Sequence, residues 1–322
     1  MRIFALGPSR TLGAMVAAAL GRELDPCEEQ DFEDGEHRIR PLVSVRGEDT
    51  FVLASLGGEG ASFLHDQLVR LLFFLATCRD NGAARVTAVV PYLCYARMDR
   101  QTKRRDPVSF RYVAQLLEAA GCDRVVTLDV HDLAAFQNAF RCETVHLEAR
   151  SLLAARIPAL AAGHPVTVFS PDAGGVKRAE LLRRTVEAAT GAAVGFGFME
   201  KHRHDGAISG SLFAGEVAGS AVFLIDDMIS TGGTIIRAAE ACRERGAAAV
   251  IAMVTHGLFA PGSERLPGDG LLDRLLVTDS LPAATRRAGK GVEIVPVSGL
   301  LGEVIARLHN GEPLGDLTAL ED

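Results

Sequence analysis

Short runs of β-branched and apolar residues alternate with longer segments of helical period along most of this chain of 322 residues. Six of the apolar runs lie near Phe51, Val89, Val126, Val166, Leu224 and Ile251. Residues 63–81, 109–120, 175–190 and 234–246 instead place apolar side chains at steps of three and four. This alternation predicts parallel β-sheet connected by crossover helices, the α/β class.

Two of the predicted strands finish with polar side chains, in TLDVH at 127–131 and in FLIDD at 223–227. Ligands of open α/β sheets bind at the carboxyl ends of the strands. We therefore predict two similar α/β halves, each a mainly parallel sheet flanked by helices. The expected domains are 1–148 and 149–304, and a C-terminal segment of about 305–322 is free to pack back on the first domain.

Charge and hydropathy argue against two classes of partner. The formal net charge of −7, with both signs interspersed, is unsuited to bulk binding of nucleic acid or of an anionic membrane. The longest apolar stretch, near Leu71, is bounded by Arg70 and Arg79, far short of the roughly 20 residues that a membrane-spanning helix needs. The first residues lack the apolar core of a signal peptide, and the six cysteines form no CxxC pair. We expect a cytoplasmic protein with reduced thiols.

The segment VFLIDDMISTGGT, 222–234, is the strongest motif in the sequence. A buried strand leads into Asp226 and Asp227 and then into a loop of small residues that opens a helix. The loop consists of Ser230, Thr231, Gly232, Gly233 and Thr234. Backbone N–H groups of such a loop can surround a phosphate at the positive end of the helix. The two carboxylates could then accept hydrogen bonds from vicinal ribose hydroxyls, directly or through a metal ion.

This motif resembles the signature that binds 5-phosphoribosyl 1-diphosphate (PRPP) in type I phosphoribosyltransferases and in PRPP synthetases. Further strings, among them VTAVVPYLCYARMDR, SPDAGGVKRA, VTHGLF and LHNGEP, extend the resemblance to ribose-phosphate pyrophosphokinases over nearly the whole chain. The resemblance implies two type I phosphoribosyltransferase domains. It also implies transfer of the diphosphate of Mg-ATP to the C1 hydroxyl of ribose 5-phosphate, which gives PRPP and AMP.

Two segments of the first half are candidates for binding ATP. In FEDGE, Phe32 offers a flat apolar face, and Asp34 and Glu36 lie on the same side if the segment is extended. Arg97 of YARMDR has a planar fork that suits phosphate or stacking on a base. The resemblance implies that Phe32, Asp34 and Glu36 bind the adenine in the site of a neighbouring subunit, beside Arg97. An acidic turn with one aromatic anchor is the alternative for FEDGE.

Metal binding and catalysis fall to four other residues. His131 and Asp172 could form a partial shell for Mg²⁺, and the resemblance implies that they bind the Mg²⁺ of Mg-ATP. Lys201 and Arg203 lie two residues apart, so on a strand both would face one point. The resemblance implies that they stabilise charge on the transferring diphosphate. A surface hairpin is the alternative for them.

Several features leave other functions open. A phosphoribosyltransferase would share 226–234, and a non-catalytic paralogue of the synthetase would share most of the chain. Met98 stands where the family usually has Gln, Ser230 where many members have Asp, and Pro313 and Gly315 where regulatory hydroxyls are expected. The resemblance implies a homo-oligomer, at least a dimer with a shared ATP site, and the family also forms hexamers.

Overall fold

The computed structural model describes residues 1–58, 61–204, 207–267, 270–289 and 291–318, with two compact units. The first unit contains residues 1–148, 280–282 and the described residues from 296 onward, and the second contains 149–279 and 283–295. Side chains at 61–62, 201–204, 207–211 and 316 lie outside the described part.

The first unit contains a parallel sheet and a separate hairpin. Its strands are β1 (Arg2–Ala5), β2 (Cys27–Asp31), β3 (His37–Pro41), β4 (Asp49–Leu53), β5 (Arg85–Val90), β6 (Arg124–Leu128) and β7 (Glu143–Leu147). The sheet has the order β1-β4-β5-β6-β7 with all pairs parallel, and β2 and β3 form the antiparallel hairpin. The helices are α1 (Arg10–Ala19), α2 (Ala61–Asp80), α3 (Ser109–Ala119) and α4 (Leu133–Ala139).

The second unit contains a larger sheet. Its strands are β8 (Val166–Ser170), β9 (Gly195–His204), β10 (Ala207–Ala214), β11 (Ala221–Ile229), β12 (Ala249–Gly257), β13 (Arg274–Thr278) and β14 (Val292–Val295). The sheet has the order β10-β9-β8-β11-β12-β13-β14, in which β9 and β10 are antiparallel and the other pairs are parallel. The helices are α5 (Arg150–Ala154), α6 (Ile157–Ala161), α7 (Val176–Thr190), α8 (Gly233–Glu244) and α9 (Pro282–Arg286).

The last helix, α10 (Ser298–Asn310), belongs to the first unit. A Cβ on its Gly302 would lie 3.1 Å from the Cβ of Ala19, so α10 packs closely on α1. The first unit therefore includes the described residues from 296 onward, and the predicted domain boundaries stay a prediction.

Burial explains why the alternating pattern predicted these elements. All five residues of β6 are buried, as in a parallel strand covered by helices on both faces. In the first core, Phe4 of β1 packs edge-to-face on Phe74 of α2 with ring centroids 5.1 Å apart. In the second core, α8 buries Ile235, Ala238 and Cys242. The predicted parallel sheets with flanking helices are confirmed.

Two smaller predictions can also be compared with the structure. None of the six cysteines forms a disulfide. None of the described helices combines the length and apolar character that crossing a lipid bilayer requires.

Candidate functional site

The small-residue loop of the second unit connects the end of β11 to the start of α8. Gly232 precedes the helix with φ of 81°, a left-handed conformation that favours glycine. A Cβ at this position would lie 2.2 Å from Cδ1 of Leu266. Because the first N–H groups of a helix have no partner within it, the start of α8 can donate to an anion. The predicted strand, small-residue loop and helix are present in the structure.

Asp226 and Asp227 lie inside β11 and not after its end. Strand β12 pairs with β11 as far as Ile229, whereas β8 pairs with it only as far as Leu224. The prediction that the two acids finish the strand is therefore wrong by two residues, since β11 continues from Asp227 to Ile229. The pairing of β8 with β11 thus ends two residues before Asp226.

Arg178 of α7 is a neighbour of both carboxylates that the sequence analysis missed. Its Nη1 lies 3.8 Å from Oδ1 of Asp226, and its Nη2 lies 3.8 Å from Oδ2 of Asp227. The string SPDAGGVKRA contains this residue, but position alone does not show that its side chain turns back toward β11. The signal that could have found it is the need of two adjacent buried acids for a cation.

The pKa of Asp226 is raised from its ordinary value of 3.8 to about 8, first by burial and then by the nearby charge of Asp227. Arg178 opposes this rise, while Asp172 adds to it. The side chain of Asp226 is 18% exposed and that of Asp227 is 5% exposed. The site thus places two acidic groups side by side with little solvent, and a bound cation would favour their ionised forms.

Asp172 lies in the turn between β8 and α7. Its Oδ1 accepts a hydrogen bond from the N–H of Gly175 at 3.1 Å, and its carbonyl accepts one from Oγ of Ser170 at 2.6 Å. A Cβ on Gly175 would lie 2.7 Å from that Oγ, so glycine permits the close turn. The Asp172 carboxylate is near enough to Asp226 for its charge to add to the rise in the pKa of Asp226.

Lys201 and Arg203 lie on β9, opposite Ser211 and Ile208 of β10. Both are thus on a strand, as the sequence predicts, and their side chains lie outside the described part. The predicted catalytic role of these two residues stays a prediction.

In the first unit, the segment FEDGE forms the tip of the β2–β3 hairpin. The N–H of Phe32 donates to the carbonyl of Glu36 at 2.8 Å, and Gly35 adopts φ of 89°. The expectation of an extended segment is therefore wrong, because the chain reverses here. Oδ1 of Asp34 accepts the N–H of Glu36 at 3.1 Å, and Phe32 is 44% exposed. The tip presents an aromatic face and three carboxylates, those of Glu33, Asp34 and Glu36, to solvent.

Arg97 and His131 are exposed in the turns that follow β5 and β6. The turn at Arg97 includes Tyr95 with φ of 61°, and the N–H of Met98 donates to the Tyr95 carbonyl at 2.8 Å. The strand β6 ends at Leu128, so His131 lies three residues beyond the strand that we expected it to end. Both residues are at the carboxyl edge of the first sheet, where α/β proteins bind ligands.

The structure thus brings Asp172, Asp226 and Asp227 together with the small-residue loop in the second unit. It places Phe32, Asp34, Glu36, Arg97 and His131 in the first unit. Among the described residues, no group of three or more His, Cys, Asp and Glu side chains is arranged to hold a metal ion. A magnesium ion does not require one, because it usually keeps several waters and takes one or two carboxylates.

The chain is similar to known proteins over nearly its whole length. Residues 1–121 match the model of the N-terminal domain of ribose phosphate pyrophosphokinase, and residues 210–319 match the phosphoribosyl synthetase-associated domain. The chain is 35% identical to the ribose-phosphate pyrophosphokinase of Hyphomonas neptunium, over 98% of this chain and 99% of the relative. It is 32% identical to ribose-phosphate pyrophosphokinase 2 of Schizosaccharomyces pombe, over 98% and 97% of the two chains.

A solved structure agrees with this similarity. The crystal structure of phosphoribosylpyrophosphate synthetase from Mycobacterium smegmatis superimposes with a TM-score of 0.86 at 31% sequence identity. The match covers 96% of this chain and 99% of the other. The predicted fold and the predicted family resemblance are both confirmed.

Proposed function

Because the chain belongs to the ribose-phosphate pyrophosphokinase family of enzymes, we propose that it transfers the β,γ-diphosphate of Mg-ATP to the C1 hydroxyl of ribose 5-phosphate. The products are PRPP and AMP. The observation that carries this proposal is the loop 230–234, which joins the two acids of β11 to the start of α8.

Ribose 5-phosphate binds with its phosphate at that loop. The N–H groups of Gly233 and Thr234 begin α8 and donate to the phosphate oxygens, and the hydroxyls of Ser230 and Thr231 add donors beside them. Asp226 and Asp227 accept hydrogen bonds from the ribose hydroxyls. This binding holds the sugar at both ends and aims its C1 hydroxyl at the incoming diphosphate.

ATP binds through the residues of the first unit. Arg97 contacts the nucleotide, and Phe32, Asp34 and Glu36 bind the adenine of a site in a neighbouring subunit, since the hairpin tip is exposed and offers an aromatic face with acceptors. The protein is then a homo-oligomer, with at least two subunits and shared ATP sites. Because Met98 replaces the usual Gln, the choice of nucleoside triphosphate donor is tested in the same assay. The assay also tests whether inorganic phosphate is required for activity.

The carboxylates of the second unit fit a hard cation that prefers oxygen ligands. Asp172 and His131 would hold the Mg²⁺, which when bound neutralises charge on the triphosphate. The raised pKa of Asp226 supports the fit, because nearby positive charge would return that carboxyl to its ionised, hydrogen-bond-accepting form.

Diphosphoryl transfer requires alignment and charge stabilisation more than covalent catalysis. The C1 hydroxyl oxygen attacks the β-phosphorus in line, loses its proton to solvent, and displaces AMP as the bond from the β-phosphorus to the bridging oxygen breaks. Lys201 and Arg203 stabilise the charge that develops on the bridging and terminal oxygens. Loss of either cation should raise the barrier by about 3 to 4 kcal/mol, as for removal of one preorganised donor.

The test is to incubate the purified protein with ribose 5-phosphate, Mg²⁺ and ATP, first without and then with inorganic phosphate. We expect AMP and PRPP in equal amounts. If no AMP forms with phosphate present and with other nucleoside triphosphates as donors, the proposal is wrong. Binding of PRPP without turnover would then indicate a regulatory paralogue.

A further inference from the structure

Arg237 lies one turn into α8, and its guanidinium reaches back to the small-residue loop. Positions four apart share a helix face, and helical side chains tilt toward the N-terminus. Arg237 Nη2 accordingly donates to Oγ1 of Thr234 at 3.4 Å. Its Nη1 lies 3.3 Å from the position that a Cβ on Gly233 would occupy. The absence of a side chain at Gly233 gives the guanidinium its path to the start of the helix.

The electrostatic setting of Arg237 is unfavourable without a bound anion. A helix N-terminus carries partial positive charge, so a cation near it is destabilising. Within the described part of the chain, Arg237 makes no ion pair with a carboxylate, because Asp226 and Asp227 lie beside Arg178 instead. Its Nε is buried and has no hydrogen-bond partner among the residues that the structure describes. A buried donor without a partner carries a desolvation penalty that a ligand oxygen could remove.

We propose that Arg237 binds the phosphate group of ribose 5-phosphate directly and thereby sets the preference for a phosphorylated sugar. This inference rests on the proposed function of the loop 230–234. Oγ1 of Thr231 lies 3.9 Å from the same Gly233 Cβ position that the guanidinium borders, so the hydroxyl and the cation flank one space. The planar fork of arginine matches two oxygens of a phosphate dianion. Arg237 thus adds a full charge to a site whose other donors are neutral.

The experiment measures binding of ribose 5-phosphate by calorimetry and steady-state kinetics for the wild type, Arg237→Gln and Arg237→Lys. For Arg237→Gln we expect the Kd and the KM for ribose 5-phosphate to rise about 10- to 100-fold, the range of one or two charge-assisted hydrogen bonds. The kcat should change little, because the phosphate is remote from the reacting C1 and its binding is the same in ground and transition states. Arg237→Lys keeps the charge without the fork, so its values should lie between the other two.

The matched control is Arg245→Gln at the other end of α8. Arg245 is exposed and stacks over the ring of Phe213 at 4.1 Å, so this change removes the same charge from the same helix away from the loop. Equal Kd values for Arg237→Gln and Arg245→Gln would overturn the inference, while formation of AMP and PRPP would leave the proposed function standing. If the wild type neither binds ribose 5-phosphate nor makes PRPP, both fail. Should Arg237→Gln not fold, a wild-type Kd for Arg237→Lys would overturn the two-point contact.

Discussion

At the scale of single residues, Asp226 combines burial, a second carboxyl at the next position and only partial compensation by Arg178. The folded protein therefore holds a proton on this residue more tightly than the unfolded chain does, with a folded pKa of about 8 against 3.8. The resulting stabilisation is complete below the unfolded pKa and is lost as the pH rises through the folded pKa.

We predict that the free energy of unfolding of the ligand-free protein falls between pH 6 and about pH 9, and that Asp226→Asn flattens this part of the curve. Urea denaturation at a series of pH values measures it. Asp34→Asn, at the exposed hairpin tip, is the control and should leave the wild-type slope intact. Parallel curves for the wild type and Asp226→Asn would contradict the raised pKa.

At the scale of secondary-structure elements, the turn from β11 into α8 depends on a glycine for two separate reasons. Gly232 has φ of 81°, and a Cβ there would overlap Cδ1 of Leu266. Gly219 has φ of 70° with no atom within 4 Å of its Cβ position. A side chain at Gly219 would therefore meet the backbone strain of a left-handed residue but no steric overlap. The two positions therefore separate backbone strain from steric overlap.

We predict that Gly219→Ala lowers the free energy of unfolding by about 1 to 2 kcal/mol, the cost of a left-handed residue with a side chain. Gly232→Ala should cost about 1 to 3 kcal/mol more because of the overlap. Leu266 is buried, so its own change to Ala is destabilising, but Gly232→Ala should cost less on a Leu266→Ala background than in the wild type because the overlapping atom is gone. Chemical denaturation of the wild type, the three single variants and the double variant measures these differences, and equal losses at the two glycines would refute the overlap.

The same elements explain how far sequence reasoning could reach. Strands such as β6 are buried on both faces, so their apolar runs identified them, and small residues identified the loop before α8. The β2–β3 hairpin escaped detection because its strands, CEEQD and HRIRP, are polar and contain a single buried residue, Ile39. Arg178 escaped because its role depends on which way α7 faces β11, a tertiary relation that no local pattern encodes.

At the scale of the whole molecule, the proposed ATP site draws on two subunits, with the hairpin tip from one and the catalytic cations from the other. The sharing of the ATP site between subunits can be tested without a structure of the complex. In a closed homodimer each hairpin would serve the partner's site. A subunit altered at Phe32 would then spoil the partner's site, and a subunit altered at Lys201 would spoil its own.

We predict that Phe32→Ala and Lys201→Ala are each inactive alone, and that co-expression of the two restores activity. A mixed dimer contains one site with both parts intact, so random pairing should give about a quarter of the wild-type activity per site. The control pairs Lys201→Ala with Arg203→Ala, which alter the same half of the site and should restore nothing. AMP formation by the co-purified proteins measures the restored activity. If neither pair restores activity, the site is built within one subunit and the prediction is wrong.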